Sequence, residues 1–193
     1  MSSPRVGGMA AILSGLLVGL WVITSALDYD LFFALVPAAV IFLILSIPSM
    51  HAVQQGRHGA AGKIGYGLMM AAGTVLALMF LFALIAEGVM EQSIEDDFPA
   101  LDTVFPIVFF VFLAGLIVFG IASAVAGVLP RLAIIAFLLA FPVGLAIDFA
   151  TGAMDQDEAG IGFYIGIGLL SVSLLWIGSF LWSRSAPPAA PSG

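Results

Sequence analysis

Six long stretches of this sequence carry no charged side chain, and they leave few folds open to the chain. They cover residues 9–27, 31–47, 64–86, 104–128, 132–147 and 161–182. An α-helix rises 1.5 Å per residue, so stretches of this length match the roughly 30 Å hydrocarbon layer of a bilayer. They are far longer than the alternating segments of about ten residues that build a transmembrane β-barrel. The sequence therefore predicts an all-α, polytopic membrane bundle of six transmembrane helices.

Composition argues against a soluble fold. The chain of 193 residues is 62% hydrophobic and 9% charged, whereas soluble domains carry roughly 25% charged residues. We expect one transmembrane bundle over residues 1–182 and a disordered Pro/Ala/Ser tail over 183–193. The absence of cysteine excludes disulfides, thiolate nucleophiles and cysteine-ligated metals.

The first apolar run also has features of a secretory signal peptide. It ends in Thr24-Ser25-Ala26, which resembles a cleavage site. The apolar region of a signal peptide is about 7–15 residues long, shorter than this run. We therefore expect the first span to be retained.

The charges between the runs sort by sign without exception. The five basic residues lie at the termini or in the second and fourth connections: Arg5, Arg57, Lys63, Arg131 and Arg184. The twelve acidic residues lie in or beside the first, third and fifth connections. Basic residues are enriched in cytoplasmic loops. The pattern predicts a multi-pass protein of a prokaryotic plasma membrane, with cytoplasmic termini and acidic extracellular loops.

The second connection, 49–63, contains both histidines and two of the bases. Haem needs axial ligands that face each other, and zinc needs three or four ligands. We therefore interpret His51 and His58 as solvated or headgroup-contacting loop residues, and we expect no cofactor. A second hypothesis is that Arg57 and Lys63 contact anionic lipid, although lipid-recognition patches usually hold four to eight bases.

Small residues recur at four-residue spacing in three of the runs. Lipid supplies little hydrophobic drive between helices, so close backbone approach over small residues supplies the packing. We expect these glycines to pack helices within one bundle, and the alternative is a homo-oligomer face. The residues are Gly15, Gly19, Gly120, Gly162 and Gly166.

Pro37 and Pro142 interrupt the second and fifth runs and predict helix kinks. Broken helices at corresponding positions of two halves point to a transport site. These prolines lie at equal distances from the outer face, whereas an inverted repeat would place them at equal distances from the helix starts. The spacing therefore favours ordinary packing kinks.

Four acidic residues are candidates for a hard-cation site: Asp148, Asp155, Asp157 and Glu158. Carboxylate oxygens suit such cations, but the spacing matches no calcium loop. Asp148 directly follows an apolar run, which places it closest to hydrocarbon, where ionisable groups are often functional. The hypothesis is that Asp148 binds or gates a cation. The competing interpretation is a helix that ends at Ile147, with Asp148 solvated at the interface.

Two turns carry a family resemblance. Gln55-Gly-Arg57 with its following glycines precedes the third run, and Gly127-Val-Leu-Pro-Arg131 precedes the fifth. The combination, over roughly 49–147, resembles uncharacterised small prokaryotic multi-span membrane proteins with Gly/Arg-rich and Leu-Pro-Arg cytoplasmic turns. The tryptophan that often follows the second turn is missing here. The resemblance implies a multi-span fold and transfers no activity.

Three classes of function remain open from the sequence. The leading one is a non-catalytic scaffold or accessory subunit, with a membrane protein as partner and no nucleic acid. The alternative is a small transporter or cation channel with an acidic outer vestibule. An intramembrane enzyme ranks third, because the chain lacks the usual hydrolase and metalloprotease motifs.

Charge segregation predicts the sidedness of two loops. Single cysteines replacing Arg57 and Asp97 should react with a membrane-impermeant thiol reagent from opposite sides of the membrane. The native chain has no cysteine, so background labelling is absent. Labelling of both positions from outside intact cells would contradict six spans.

Overall fold

A computed structural model describes residues 3–27, 32–88, 98–152 and 160–184 of the chain. The described parts form six α-helices without a β-strand. Each helix is long and apolar enough to cross a membrane. This confirms the coarse prediction of an all-helical chain with six helices of spanning length. The helices are α1 (Pro4–Ser25), α2 (Phe32–Ala52), α3 (Gly59–Gly88), α4 (Ala100–Ala126), α5 (Arg131–Thr151) and α6 (Ile161–Ser183).

Several helices extend beyond the apolar runs of the sequence. Helix α2 continues through Pro48 to Ala52, and α3 begins at Gly59, so the predicted loop over 49–63 shrinks to the turn 53–58. Pro37 and Pro142 also lie inside continuous helices. In hydrocarbon, a backbone N–H or C=O group without a hydrogen-bond partner costs several kcal/mol. A helix that loses one hydrogen bond at proline therefore still continues, because ending it would leave more groups unpaired. Kinks at these prolines stay a prediction.

The six helices pack as a closed ring. Each contacts its neighbours in the chain, and α1 closes the ring against α6. The order of contacts shows that neighbours run antiparallel: Gly8 lies against Gly178, and Gly15 lies against Ser171. The other neighbouring pairs follow the same rule. Alternating direction is what successive membrane crossings require.

Antiparallel packing brings all five basic residues to one end of the bundle. We call this the basic end; it contains the start of α1, the turns 53–58 and 127–130, and the end of α6. The described acidic residues Glu87, Asp102 and Asp148 belong to helix ends at the other side. The bundle is therefore polarised along its axis.

Apolar side chains fill the centre of the ring. Every helix contributes, so the core is one cluster rather than a set of pairwise seams. Buried contributors from α1 to α6 in turn are Ala11, Ile47, Met69, Leu116, Phe137 and Leu174. Large apolar side chains are also exposed around the outside, for example Leu16, Leu78, Phe110, Val125, Leu132 and Phe149. An apolar exterior of this extent is stable against lipid and not against water.

The α1–α6 contact depends on glycine. A Cβ at Gly15 would lie 2.9 Å from the Ser171 carbonyl oxygen and 3.0 Å from Leu175 Cγ. A Cβ at Gly19 would lie 2.8 Å from Ser171 Oγ. The Ser171 hydroxyl donates to the Gly15 carbonyl oxygen over 2.8 Å, which joins the two helices in the bundle interior.

The α5–α6 contact is equally close. A Cβ on Gly166 would collide with the Ala140 carbonyl oxygen, and one on Gly162 would collide with that of Gly144. Gly120 differs, because it lies against the flexible Leu138 side chain of α5 rather than against backbone. All five glycines proposed to pack helices thus lie at helix–helix contacts.

Replacing Gly15 by leucine should separate α1 from α6. Overpacking of a tight contact typically costs about 1–3 kcal/mol. Gly67→Leu is the matched control, because Gly67 lies in α3 with open space around its Cα. Both variants gain helix propensity, so their difference in unfolding free energy, measured by denaturant titration in detergent, isolates the contact. Equal stability of the two variants would contradict the assigned interface.

Candidate functional site

Buried polar side chains are the places in an otherwise apolar bundle where a functional site could lie. The described residues of this kind are Ser14, Ser46, Ser49, Gln54, His58, Ser123, Asp148, Ser171 and Ser173. Most of the serines donate to backbone carbonyl oxygens, as Ser14 does to Ala39 over 2.8 Å. Such bonds hold helices together in lipid. Two places remain to be explained: Asp148 at one end and a group of polar residues at the basic end.

Asp148 lies inside α5 and is only 6% exposed. Its Oδ1 accepts a hydrogen bond from the Gly162 backbone N–H at 2.7 Å. The first N–H groups of a helix have no partner within the helix, and Gly160 at the N-cap of α6 has no side chain to supply one. Asp148 therefore caps α6 from the neighbouring helix. The interpretation of Asp148 as a solvated residue beyond the end of the helix is wrong.

Glycine makes this cap possible. A Cβ on Gly162 would lie 2.7 Å from both the backbone nitrogen and Oδ1 of Asp148. The carboxylate can approach the first turn of α6 only because no side chain intervenes. It also lies at the positive end of the α6 dipole, which stabilises a negative charge.

Asp148 has no carboxylate or imidazole cluster around it in the part of the chain that the structure describes. Within those ranges no group of three or more His, Asp or Glu side chains is placed to hold a metal ion. The other cation candidates, Asp155, Asp157 and Glu158, lie outside the described residues. The geometry of Asp148 is that of a helix cap, and the cation site stays a hypothesis.

The second polar group lies at the basic end, where the turn 53–58 folds back on α2. Gly56 and Gly59 have φ values of 83° and 59°, in the left-handed region that favours glycine. The reversal brings the His58 ring to 4.5 Å from that of His51, between centroids. His51 in turn stacks on Tyr66 of α3 at 4.1 Å. We call His51, His58 and Tyr66 the imidazole cluster.

His58 is buried against the first turn of α3, with 6% of its surface exposed. A Cβ on Gly62 would lie 2.6 Å from His58 Nδ1, so this glycine leaves the space that the ring occupies. Nδ1 lies 3.2 Å from the Gly59 carbonyl oxygen. The expectation of a solvated loop is wrong for both histidines, since His51 belongs to α2 and His58 is buried. The alternative, contact with lipid headgroups, stays a prediction.

Unpaired polar atoms concentrate at this end. In the described ranges, buried side-chain atoms without a hydrogen-bond partner are His51 Nδ1, Gln54 Oε1, His58 Nε2 and Ser123 Oγ. All four residues lie in the turn 53–58 or within about a turn of the neighbouring ends of α2 and α4. Leaving a buried polar atom unpaired costs about 1–3 kcal/mol. Their position at one end of the bundle makes this end a candidate site for a polar ligand.

A groove of about 260 Å³ opens beside the imidazole cluster. It lies between the start of α3 and the end of α4. Its walls are apolar apart from one imidazole, and they are formed by His58, Ala61, Val118, Ile121, Ala122 and Val125. The side chains of Arg57 and Lys63 are exposed nearby along the chain. The arrangement combines positive charge, an unpaired imidazole nitrogen and an apolar groove.

The sequence analysis named Arg57 and Lys63 at this site but did not predict the imidazole cluster or the groove. Comparison with protein-family models, curated proteins and solved structures gives no match to the chain. The signal available in the sequence was the spacing of Gly56, Gly59 and Gly62 around His58. Three glycines so close to a histidine indicate a tight reversal that leaves room for a ring. The proposed family resemblance stays a prediction.

The capping role of Asp148 predicts a graded series of variants. Asp148→Asn keeps a carbonyl oxygen that can accept from Gly162, so most of the stability should remain. Asp148→Ala removes the acceptor and should lower the unfolding free energy by about 1 kcal/mol, as lost N-caps do. Thr151→Val is the control, since exposed Thr151 bonds only to its own helix.

Denaturant titration in detergent measures this series, with and without divalent cations. Equal losses for Asp148→Asn and Asp148→Ala would contradict the cap. Stabilisation of the parent by Ca²⁺ that disappears in Asp148→Asn would support the cation hypothesis instead.

Proposed function

We propose that this chain is a multi-pass protein of a prokaryotic plasma membrane that acts as a non-catalytic scaffold or accessory subunit. The packed apolar centre of the ring supports this proposal most directly. A transport path or an intramembrane active site needs polar or ionisable groups facing the bundle interior. The described interior instead contains side chains such as Met69, Phe137 and Leu174.

The polar groups within the helices support the same role. Ser14 and Ser171 donate to carbonyl oxygens of neighbouring helices, while Ser46 and Ser173 donate within their own helices. Each hydroxyl is thereby committed to the backbone. These four hydroxyls therefore serve helix structure and packing.

The orientation follows from the basic end. All five bases of the chain cluster there, and Arg184 lies over the Phe180 ring at 4.4 Å from its centroid. The positive-inside rule supports a cytoplasmic location for this end, and therefore for both termini. The acidic connections then face outward as extracellular loops.

A transporter or cation channel is the weaker alternative. Its acidic vestibule would be built largely from residues outside the described ranges. One described carboxylate at this end, that of Asp148, already accepts a hydrogen bond from the α6 N-terminus. Helices α2 and α5, which carry the internal prolines, are continuous rather than broken.

Ion flux distinguishes these functions. Liposomes containing the purified protein should lose a Na⁺, K⁺ or Ca²⁺ gradient no faster than protein-free liposomes. The reason is the apolar packing at the centre of the described helices, which lacks the polar lining that an ion path needs. Flux that Asp148→Asn abolishes would overturn the scaffold proposal in favour of a channel.

A scaffold or accessory subunit should also be found bound to another protein. Cross-linking in native membranes should place the chain in one defined complex with another membrane protein. A chain found solely as a free monomer would contradict this role.

A further inference from the structure

The start of α3 presents unpaired backbone donors at the basic end. Helix α3 begins at Gly59, and the first amide that bonds back is that of Gly62, to the His58 carbonyl oxygen at 3.1 Å. The preceding N–H groups, of Gly59 to Ala61, have no acceptor within the helix. Aligned donors and the positive end of the dipole suit an anion.

A buried, unpaired side chain at the same place supplies an independent indication. His58 precedes α3 directly, is 6% exposed and has no partner for Nε2. Nδ1 lies 3.2 Å from the Gly59 carbonyl oxygen, and Nε2 is the ring nitrogen without a partner. Either ring nitrogen of an imidazole can carry a proton and then donate to an anion.

The surrounding charge has one sign. Arg57 precedes His58, and Lys63 follows on the second turn of α3, both with exposed side chains. None of the described residues at the basic end is acidic. The charged side chains near this site therefore all attract an anion. Their electrostatic field falls off over about a Debye length.

The adjoining groove suits a ligand that also has an apolar part. It lies beside His58, and its walls are Ala61, Val118, Ile121, Ala122 and Val125. Val125 is 81% exposed and belongs to the outer apolar surface of the bundle, so the groove is open to the surrounding lipid. A small soluble anion would leave these walls without a partner, whereas an acyl chain would cover them.

We propose that the start of α3 binds the headgroup phosphate of an anionic phospholipid, with part of one acyl chain lying in the groove between α3 and α4. The phosphate accepts from the α3 N-terminus and His58 and is attracted by Lys63 and Arg57. The inference rests on the proposed function, since it requires that the basic end lie at a bilayer surface.

Lipid retention in native mass spectrometry tests the headgroup half of the proposal. The probes are phosphatidylglycerol and phosphatidylcholine with identical acyl chains, added to the delipidated full-length protein. The parent should retain more phosphatidylglycerol. Lys63→Gln should reduce that retention about fivefold, the effect expected for one base near an anionic surface.

Arg5→Gln is the matched control. Arg5 is an exposed base at the same end, but it lies on α1, which packs against α2 and α6. Its replacement should leave the retention unchanged. An equal loss in Arg5→Gln and Lys63→Gln would show diffuse attraction to the whole basic end and would overturn the site.

Two further variants test the imidazole and the groove. His58→Phe keeps a ring for packing and removes both nitrogens, so retention should fall while Lys63 is intact. Ala61→Phe fills the groove from an exposed position and should lower retention with every charge intact. An unchanged value for Ala61→Phe would mean that the groove holds no acyl chain.

Thermal stability in detergent is measured for each variant beside retention. Loss of retention in Lys63→Gln at unchanged stability supports the site even if His58→Phe fails to fold. Failure of the lipid proposal leaves the flux and cross-linking results untouched, so it is distinguishable from failure of the scaffold role.

Discussion

Close contact between helix backbones is the interaction on which the rest of this structure depends. Lipid removes most of the hydrophobic drive between helices, so they associate where atoms fit closely and hydrogen bonds form. Gly15 against Ser171, and Gly162 against Gly144, bring backbones near enough for this. The same closeness lets the Ser171 hydroxyl and the Asp148 carboxylate reach main-chain groups of another helix. These two polar contacts therefore depend on the glycines that let the helices approach each other.

The number and type of elements were predictable because hydrocarbon allows few choices. A long uncharged run has to be helical to satisfy its own backbone, and six runs give six helices. The helix ends were less predictable. In a soluble protein, Pro48 would be expected to end the helix. Helix α2 nevertheless continues past it to Ala52, since unpaired backbone groups in hydrocarbon cost more free energy than the one hydrogen bond lost at proline.

The candidate site was only partly predictable, because it is made by tertiary contacts. Arg57 and Lys63 were identified from charge, and lipid was named as their partner. His58 was interpreted as a solvated or headgroup-contacting loop residue, since nothing local shows that its ring turns onto α3 and is buried. For Asp148, the sequence indicated unusual depth, but the cap depends on Gly162, fourteen positions later on another helix. Contacts of this kind follow from helix order, which the apolar pattern does not specify.

Closure of the ring has a consequence for biosynthesis. The Ser171–Gly15 hydrogen bond joins residues 156 positions apart, so α1 is synthesised long before α6 has been translated. At about 5–20 residues per second, the delay is on the order of ten seconds or more. During that interval the face of α1 that contains Gly8, Gly15 and Gly19 has no α6 to pack against. The final helix then acts as the closing segment, and a ribosome that stops before α6 releases an open, incomplete ring.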